Sequence, residues 1–176
     1  MRKLDINQLK RGLPGVTEAF GTFLAEAVMF CLEENGHQGS AKLLVTGHFD
    51  EEFELTWTDT VTKEVRSTWE DKKEATEYAA TAIAMLIIPV ITEFDLFRRT
   101  RGGTDYILGK TKQRKTKNLP DISYLEISGL WKETKNNTVN MRVNLKEKQV
   151  RRTVFNAPAL VVVTEFSIPK TKITQL

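Results

Sequence analysis

The chain has 176 residues, of which 40% are hydrophobic and 28% charged, a size and composition that suit one folded domain and exclude general disorder. Its single cysteine, Cys31, excludes an intramolecular disulfide and a cysteine-rich metal site. The beginning of the chain does not resemble a secretion signal, and the longest apolar run (79–91) is shorter than the roughly 20 residues of a membrane span. We therefore expect a cytoplasmic protein without membrane contact.

Charge is divided unevenly along the chain. Residues 1–97 carry 9 Lys and Arg against 17 Asp and Glu, a balance of −8, whereas residues 98–176 carry 17 against 6, a balance of +11. A basic surface attracts polyanions because binding releases counterions. The division favours a nucleic-acid partner, although acidic and basic parts that neutralise each other within one fold remain the simpler alternative.

The first third of the chain predicts a helix followed by a hairpin. Apolar residues recur at helical spacing from Gly15 to Glu34, and Asn35-Gly36 is a natural stop. Two strand-like runs, 41–49 and 52–58, then predict a β-hairpin. The polar segment 60–67 is expected to be a connection.

The strongest predicted helix follows this connection. Ser67 and Glu70 have the spacing of a capping box, and Thr68 offers an alternative cap. Pro89 limits its continuation. Its apolar stripe predicts a central, buried helix and consists of Ala75, Tyr78, Ala79, Ala82, Ile83, Leu86 and Ile87.

The remaining elements alternate between strands and one helix. Strand-like runs lie at 91–99, 104–109 and 122–128, and Gly102-Gly103 predicts a tight turn that makes the first two antiparallel. An amphipathic helix is expected at 137–152, and the β-branched run at 159–168 predicts an interior strand. The order from 67 to 168 is thus helix, three strands, helix, strand, which predicts an α+β fold with a mixed sheet flanked by helices.

Two segments of the second half each place one carboxylate in a strand-like run: Asp105 in GGTDYILGK and Glu126 in ISYLEISG. Mg²⁺ prefers oxygen ligands and often takes only one or two protein carboxylates. Asp105, Glu126 and the carbonyl of Ile127 therefore predict a Mg²⁺ site, where the ion would polarise a phosphoryl group and lower the pKa of an attacking water. Alternatively, Asp105 is only an acid beside a turn and Glu126 pairs with an arginine.

This order of elements, with an acid on the second strand and an acid-x-polar triplet on the third, resembles the PD-(D/E)xK nuclease superfamily. The resemblance implies a restriction-endonuclease-like α-β-β-β-α-β core at 67–168, with residues 1–66 as an N-terminal helix and hairpin elaboration of a single domain (1–176). Asp105 and Glu126 match the two acids of the family motif, and Glu74 or Glu77 matches an additional acid of some branches. Ser128 stands where the family has lysine.

The missing lysine defines the main question about catalysis. In the family, that lysine orients the attacking water and neutralises developing charge, whereas Ser128 can hydrogen-bond a water but carries no charge. Lysines elsewhere that could replace it are Lys110, Lys132, Lys146 and Lys148. Lys146 is favoured because helix 137–152 should pack beside the strand that carries Glu126.

Basic residues of the second half are candidates for binding a nucleic-acid backbone. They flank the Gly-Gly turn and fill the loop after it, where a solvated hairpin loop is the alternative interpretation. These candidates are Arg98, Arg99, Arg101, Lys110, Lys112, Arg114, Lys115 and Lys117.

Two functional hypotheses follow. The first is a Mg²⁺-dependent nuclease that uses Asp105, Glu126, Ser128 and Lys146. The second is a non-catalytic binding or assembly subunit that keeps the fold and associates with nucleic acid, a protein partner or its own copies. Carboxylates that could share one ion at an open face would favour the first hypothesis, and an internal ion pair would favour the second.

Overall fold

The computed structural model describes residues 1–112, 121–154 and 156–176. Within these ranges, eight strands form one sheet. The strands are β1 (Arg2–Asp5), β2 (Ser40–Gly47), β3 (Glu51–Thr56), β4 (Leu96–Arg99), β5 (Tyr106–Gly109), β6 (Ser123–Leu130), β7 (Ala159–Glu165) and β8 (Lys170–Gln175). The helices are a 3-10 helix (Ile6–Arg11), α1 (Glu18–Glu34), α2 (Lys63–Thr68), α3 (Lys72–Ile91) and α4 (Val139–Thr153).

The sheet is mixed, and its strand order is β1-β3-β2-β8-β7-β6-β5-β4. Strands β4, β5 and β6 are antiparallel neighbours, while β6 and β7 are parallel and joined through α4. A helical crossover is the usual connection between parallel strands. The predicted α+β class with a mixed sheet is confirmed, as is the β2–β3 hairpin. The predicted order of elements from α3 to β7 is also observed.

Helices cover the two faces of the sheet unequally. On one face, α1 and α3 pack together over a large apolar core. On the other face, α4 buries Val139, Val143 and Val150 against Val161 and Val163 of β7. Every residue of β7 is buried, as expected for an interior strand covered on both faces.

The N-terminus of α3 differs from the prediction. Its N-cap is Asp71, whose carboxylate accepts hydrogen bonds from the N–H groups of Lys73 (2.9 Å) and Glu74 (3.2 Å). The predicted capping box of Ser67 and Glu70 was wrong, because the segment expected to be a connection forms α2 and includes Ser67. Aspartate is as good a cap as serine, and Asp71 stands one residue before the helix.

Helix α3 is the core helix of the molecule. In the described ranges it is the one helix long and apolar enough to span a membrane. Of its most apolar stretch of 18 residues, 61% is buried inside the fold. This burial accounts for its composition. Cys31 of α1 is also fully buried, and burial raises the pKa of its thiol to about 12. The thiol therefore stays protonated at neutral pH, as expected for a packed core cysteine.

Candidate active site

The candidate site forms where β5 and β6 separate. The last residue pair of these strands is Tyr106 with Leu125. One residue before β5, the Asp105 N–H still donates to the Leu125 carbonyl (3.0 Å). Beyond that point the Asp105 carboxylate accepts the hydrogen bond that a carbonyl of a paired strand would accept, since its Oδ2 lies 2.8 Å from the Ile127 N. The sequence places an acid where the strand ends, and the acid satisfies the backbone of the neighbouring strand.

The edge of β6 beyond this point presents backbone groups and a third acid. Successive residues of a strand direct their backbone groups to opposite edges, so the Ile127 carbonyl and Gly129 face the same edge as Leu125. Gly129 lets α3 approach closely, since a Cβ there would lie 2.4 Å from the Thr76 carbonyl oxygen. The next residue of α3 is Glu77, which lines one cavity together with Asp105 and Ile127.

Glu126 lies on the face of the sheet that α4 covers, opposite to the face that packs against α3. It is 2% exposed. Its Oε1 accepts hydrogen bonds from Lys146 Nζ at 2.6 Å and from Gln149 Nε2 at 3.1 Å. Lys146 and Gln149 are three residues apart on α4, a spacing that places both on one helix face. The structure thus brings Lys146, the lysine favoured from the sequence, into contact with the second motif acid.

The acids of the site repel one another. Burial raises the pKa of Glu126; the hydrogen bond from Lys146 opposes this shift, and the charge of Asp105 adds to it. Burial also raises the pKa of Glu77. The charge of Lys146 lowers this pKa, and the charge of Asp105 raises it further. The charge of Lys146 and, at Glu77, also that of Arg142 offset part of the negative charge of these three carboxylates.

A cavity of about 470 Å³ opens beside Asp105, Glu77 and Ile127. Arg99 of β4 also lines it, and its guanidinium lies 5.5 Å from the centre of the Tyr106 ring and donates from Nη1 to Tyr106 Oη at 3.4 Å. Burial raises the pKa of Tyr106 against the charge of Arg99, so Tyr106 is a neutral support for Arg99. The cavity therefore combines carboxylates, a carbonyl edge and one positioned cation.

The donor set fits a hard cation only through mixed ligands. Among the described residues, no group of three or more His, Cys, Asp and Glu side chains is arranged to hold a metal ion. Asp105 lies on the cavity side and Glu126 on the α4 side of the same strand. The two motif acids therefore do not meet at one open site, and Glu126 forms with Lys146 the internal ion pair that favours the non-catalytic hypothesis. Asp105, the Ile127 carbonyl and waters remain a ligand set that Mg²⁺ accepts.

Ser128 does not replace the motif lysine by direct contact. It is 1% exposed on the same face as Glu126, and its Oγ has no hydrogen-bond partner among the residues that the structure describes. Of the other lysines considered, Lys110 pairs with Glu93 at 2.9 Å and Lys148 is exposed. Lys132 lines a neighbouring cavity. Glu74 is exposed at the cavity rim, so Glu77 is the better placed of the two additional acids.

The predicted nucleic-acid-binding residues divide between two places. Arg98, Arg99 and Arg101 lie at the Asp105 end of β5. Lys110 and Lys112 lie at the opposite end and line a different cavity together with Glu93 and Asp95. Arg114, Lys115 and Lys117 lie outside the described residues.

Gln149 is the one contact of Glu126 that the sequence reasoning missed. Its signal is the spacing of three residues from Lys146, which is weak without the position of Glu126.

Comparisons with family models, with curated proteins and with solved structures found no match to this chain.

Proposed function

We propose that this protein is a metal-dependent phosphodiesterase that cleaves nucleic acid, built on a nuclease-like core of the PD-(D/E)xK type. The observation that carries the proposal is the cavity beside the point where β5 and β6 separate, which Asp105, Ile127 and Arg99 line together. It presents a carboxylate and a cation on one open surface, a combination that suits a phosphodiester substrate. On the other side of β6, Lys146 of α4 supplies the positive charge beside Glu126 that Ser128 lacks.

The sheet around the site supports the same proposal. Strands β4, β5 and β6 form an antiparallel meander, and β7 returns parallel to β6 through α4. These are the connections that the α-β-β-β-α-β order of a restriction-endonuclease-like core requires. The Asp105 carboxylate accepts from the Ile127 N–H where β5 and β6 separate, and both residues line a cavity that a substrate could enter.

Each site residue has a role in such a reaction. Asp105 and the carbonyl of Ile127, with waters, would hold Mg²⁺, which when bound polarises the phosphoryl group and lowers the pKa of water. Glu126 would hold Lys146 in position. Lys146 has three donor hydrogens; its described bonds go to Glu126 and to Gln149 Oε1 at 3.5 Å. A third hydrogen can orient a water or stabilise a phosphoryl oxygen. Arg99, supported by Tyr106, would hold the substrate phosphate at the cavity.

Cleavage of labelled DNA and RNA oligonucleotides with Mg²⁺ or Mn²⁺ tests the proposal. We expect the Asp105→Ala and Glu126→Ala variants each to lose about 10²–10³-fold in rate, the range for removing one preorganised electrostatic group. Asp121→Ala is the matched control, because Asp121 is an exposed acid just before β6. Circular dichroism checks that each variant is folded. Cleavage that survives in both site variants would remove the site assignment.

One observation favours the second candidate, a non-catalytic nucleic-acid-binding or assembly subunit. Glu126 is 2% exposed and already ion-paired, which is the arrangement expected if the site only stabilises the fold. This candidate predicts no cleavage with either metal but measurable association with nucleic acid or a partner. Fluorescence anisotropy of the same oligonucleotides, run beside the cleavage assay, separates the two.

A further inference from the structure

A second cavity, of about 300 Å³, lies next to the candidate active site at the end of β6. The two cavities share Lys73 and Glu77 in their linings. The second cavity is therefore an extension of the same surface.

The lining of this cavity is strongly basic. Four cations from three parts of the chain meet there: Lys72 and Lys73 from the first turn of α3, Lys132 after β6, and Arg142 of α4. Among the described residues, none of the four forms a salt bridge, whereas Lys110, Lys146 and Lys170 each do. Glu77 is the only acid in the lining. Four positive charges that converge beside one described carboxylate favour an anionic ligand.

Two of these cations are held in position by uncharged groups. Arg142 donates from Nη2 to Asn137 Oδ1 at 3.2 Å. The Lys72 ammonium lies 4.6 Å from the centre of the Trp131 ring, and Trp131 is itself part of the lining. Both cations are ordered without losing charge, which lowers the entropic cost of binding an anion.

We propose that this second cavity binds a backbone phosphate of the nucleic-acid strand whose scissile phosphate lies at the Asp105 cavity. The inference rests on the proposed function for the identity of the strand. A nucleic-acid strand carries one phosphate per about 3.4 Å along its axis, so a strand that enters one cavity presents further phosphates to the adjoining one. The contacts are to phosphate, so binding does not depend on base sequence.

Binding of a labelled DNA oligonucleotide in EDTA, where no metal-dependent cleavage occurs, tests this site at several salt concentrations. Loss of one phosphate contact to single-stranded DNA should reduce the slope of log K against log salt by about 0.7. We expect this reduction, with weaker binding to every sequence, in Arg142→Gln and in Lys132→Gln. Lys148→Gln is the control: it is on α4, exposed, and outside the cavity.

Trp131 provides a second readout that does not use a charge substitution. Trp57 and Trp69 are buried, and their indole N–H groups donate to Glu33 and Glu26. A fluorescence change on DNA binding should therefore come from Trp131 and be lost in Trp131→Phe. Inorganic phosphate, titrated alone, should give the change only at far higher concentration than the DNA does.

The outcomes separate this inference from the proposed function. Slopes in Arg142→Gln and Lys132→Gln equal to that of Lys148→Gln would overturn the phosphate site, even if the wild-type protein cleaves DNA. Equal responses to inorganic phosphate and DNA would also overturn it, since the ligand would then be a small anion. Reduced slopes in a protein that never cleaves would uphold the phosphate site and reject the nuclease.

Discussion

Two buried glutamates on neighbouring strands differ in how the protein satisfies them. Glu165 at the end of β7 is 1% exposed, and its carboxylate accepts from the N–H groups of Ser167 at 2.8 Å and Ile168 at 3.0 Å, and from the Ser167 hydroxyl. All these donors lie within three residues of it. Glu126 on β6 is equally buried, but its donors, Lys146 and Gln149, lie 20 and 23 residues away on α4.

The difference separates a structural carboxylate from a candidate functional one. The donors to the Glu165 carboxylate belong to the turn that follows it, so the turn itself satisfies this buried acid. Glu126 depends on a packed helix, and the charge of Asp105 raises its pKa further after the effect of burial. Buried acids that repel each other are costly for a fold, and they are common where a protein binds or reacts.

The largest expected effect comes from removing the ammonium beside Glu126. Lys146→Met should lower the free energy of unfolding by about 3 kcal/mol, because removing one partner of a buried ion pair leaves the other charge uncompensated. Adding Glu126→Gln to Lys146→Met should recover part of this loss. Urea unfolding at neutral pH measures both.

Lys148→Met on the outer side of α4 is the control and should change stability by no more than about 0.5 kcal/mol. An equal loss of unfolding free energy in the two lysine variants would mean that the Glu126–Lys146 pair stabilises the fold no more than an exposed lysine does. The proposed difference between Glu126 and Glu165 would then be wrong.

A smaller effect is expected at Glu165. Glu165→Ala should cost about 2 kcal/mol, because two N–H groups and one hydroxyl lose their acceptor, while partial exposure of the turn lets water replace some of these bonds. Nucleic-acid binding and cleavage should stay at the wild-type level. Impaired cleavage in a Glu165→Ala protein of normal fold would show that the structural and functional acids are not separable in this way.

The smallest effect is a change in the pH dependence of stability at Glu77. Its folded-state pKa is raised from the ordinary value of 4.5 by burial. The stability it contributes is therefore full below about pH 4.5 and is lost as pH rises through the folded pKa. The stability of Glu77→Gln relative to wild type should rise with pH over this window, by at most about 1.4 kcal/mol per pH unit.

Glu133→Gln provides the opposite sign. A hydrogen bond from Lys170 lowers the pKa of Glu133, so its contribution is present above the unfolded pKa and lost as pH falls. The stability of this variant relative to wild type should fall as pH rises. Urea unfolding from about pH 2.5 to about pH 8 measures both variants, because the Glu133 window lies below its ordinary pKa of 4.5 and the Glu77 window above it. Parallel pH profiles would contradict the assigned shifts.

The elements that the sequence predicted are those with strong local patterns. Helices α1, α3 and α4 have apolar residues at helical spacing, and strand β7 is a continuous β-branched run. Each was found within a few residues of its expected bounds. Strand β8 was missed because its inward residues include Thr171 as well as Ile173, which makes a weak apolar signal. Its place between β7 and β2 depends on pairing across more than 100 residues, which no local pattern can specify.

The candidate site shows the same limit. The strand positions of Asp105 and Glu126 and the expected packing of α4 were enough to favour Lys146 over other lysines. The sequence could not decide between Glu74 and Glu77, and it could not predict the contact of Gln149 with Glu126. Both depend on how a helix is rotated against the sheet. The basic lining of the second cavity was also missed, since its residues come from three distant segments and form no run in the sequence.

The position of β8 has a consequence for how the protein is made. It pairs with β2 on one side and β7 on the other, so it joins the N-terminal hairpin to the half of the sheet that carries the candidate site. Residues 170–175 are synthesised after every other strand of this sheet. Until they leave the ribosome, β2 and β7 each present an unpaired edge, the kind of surface that aggregates.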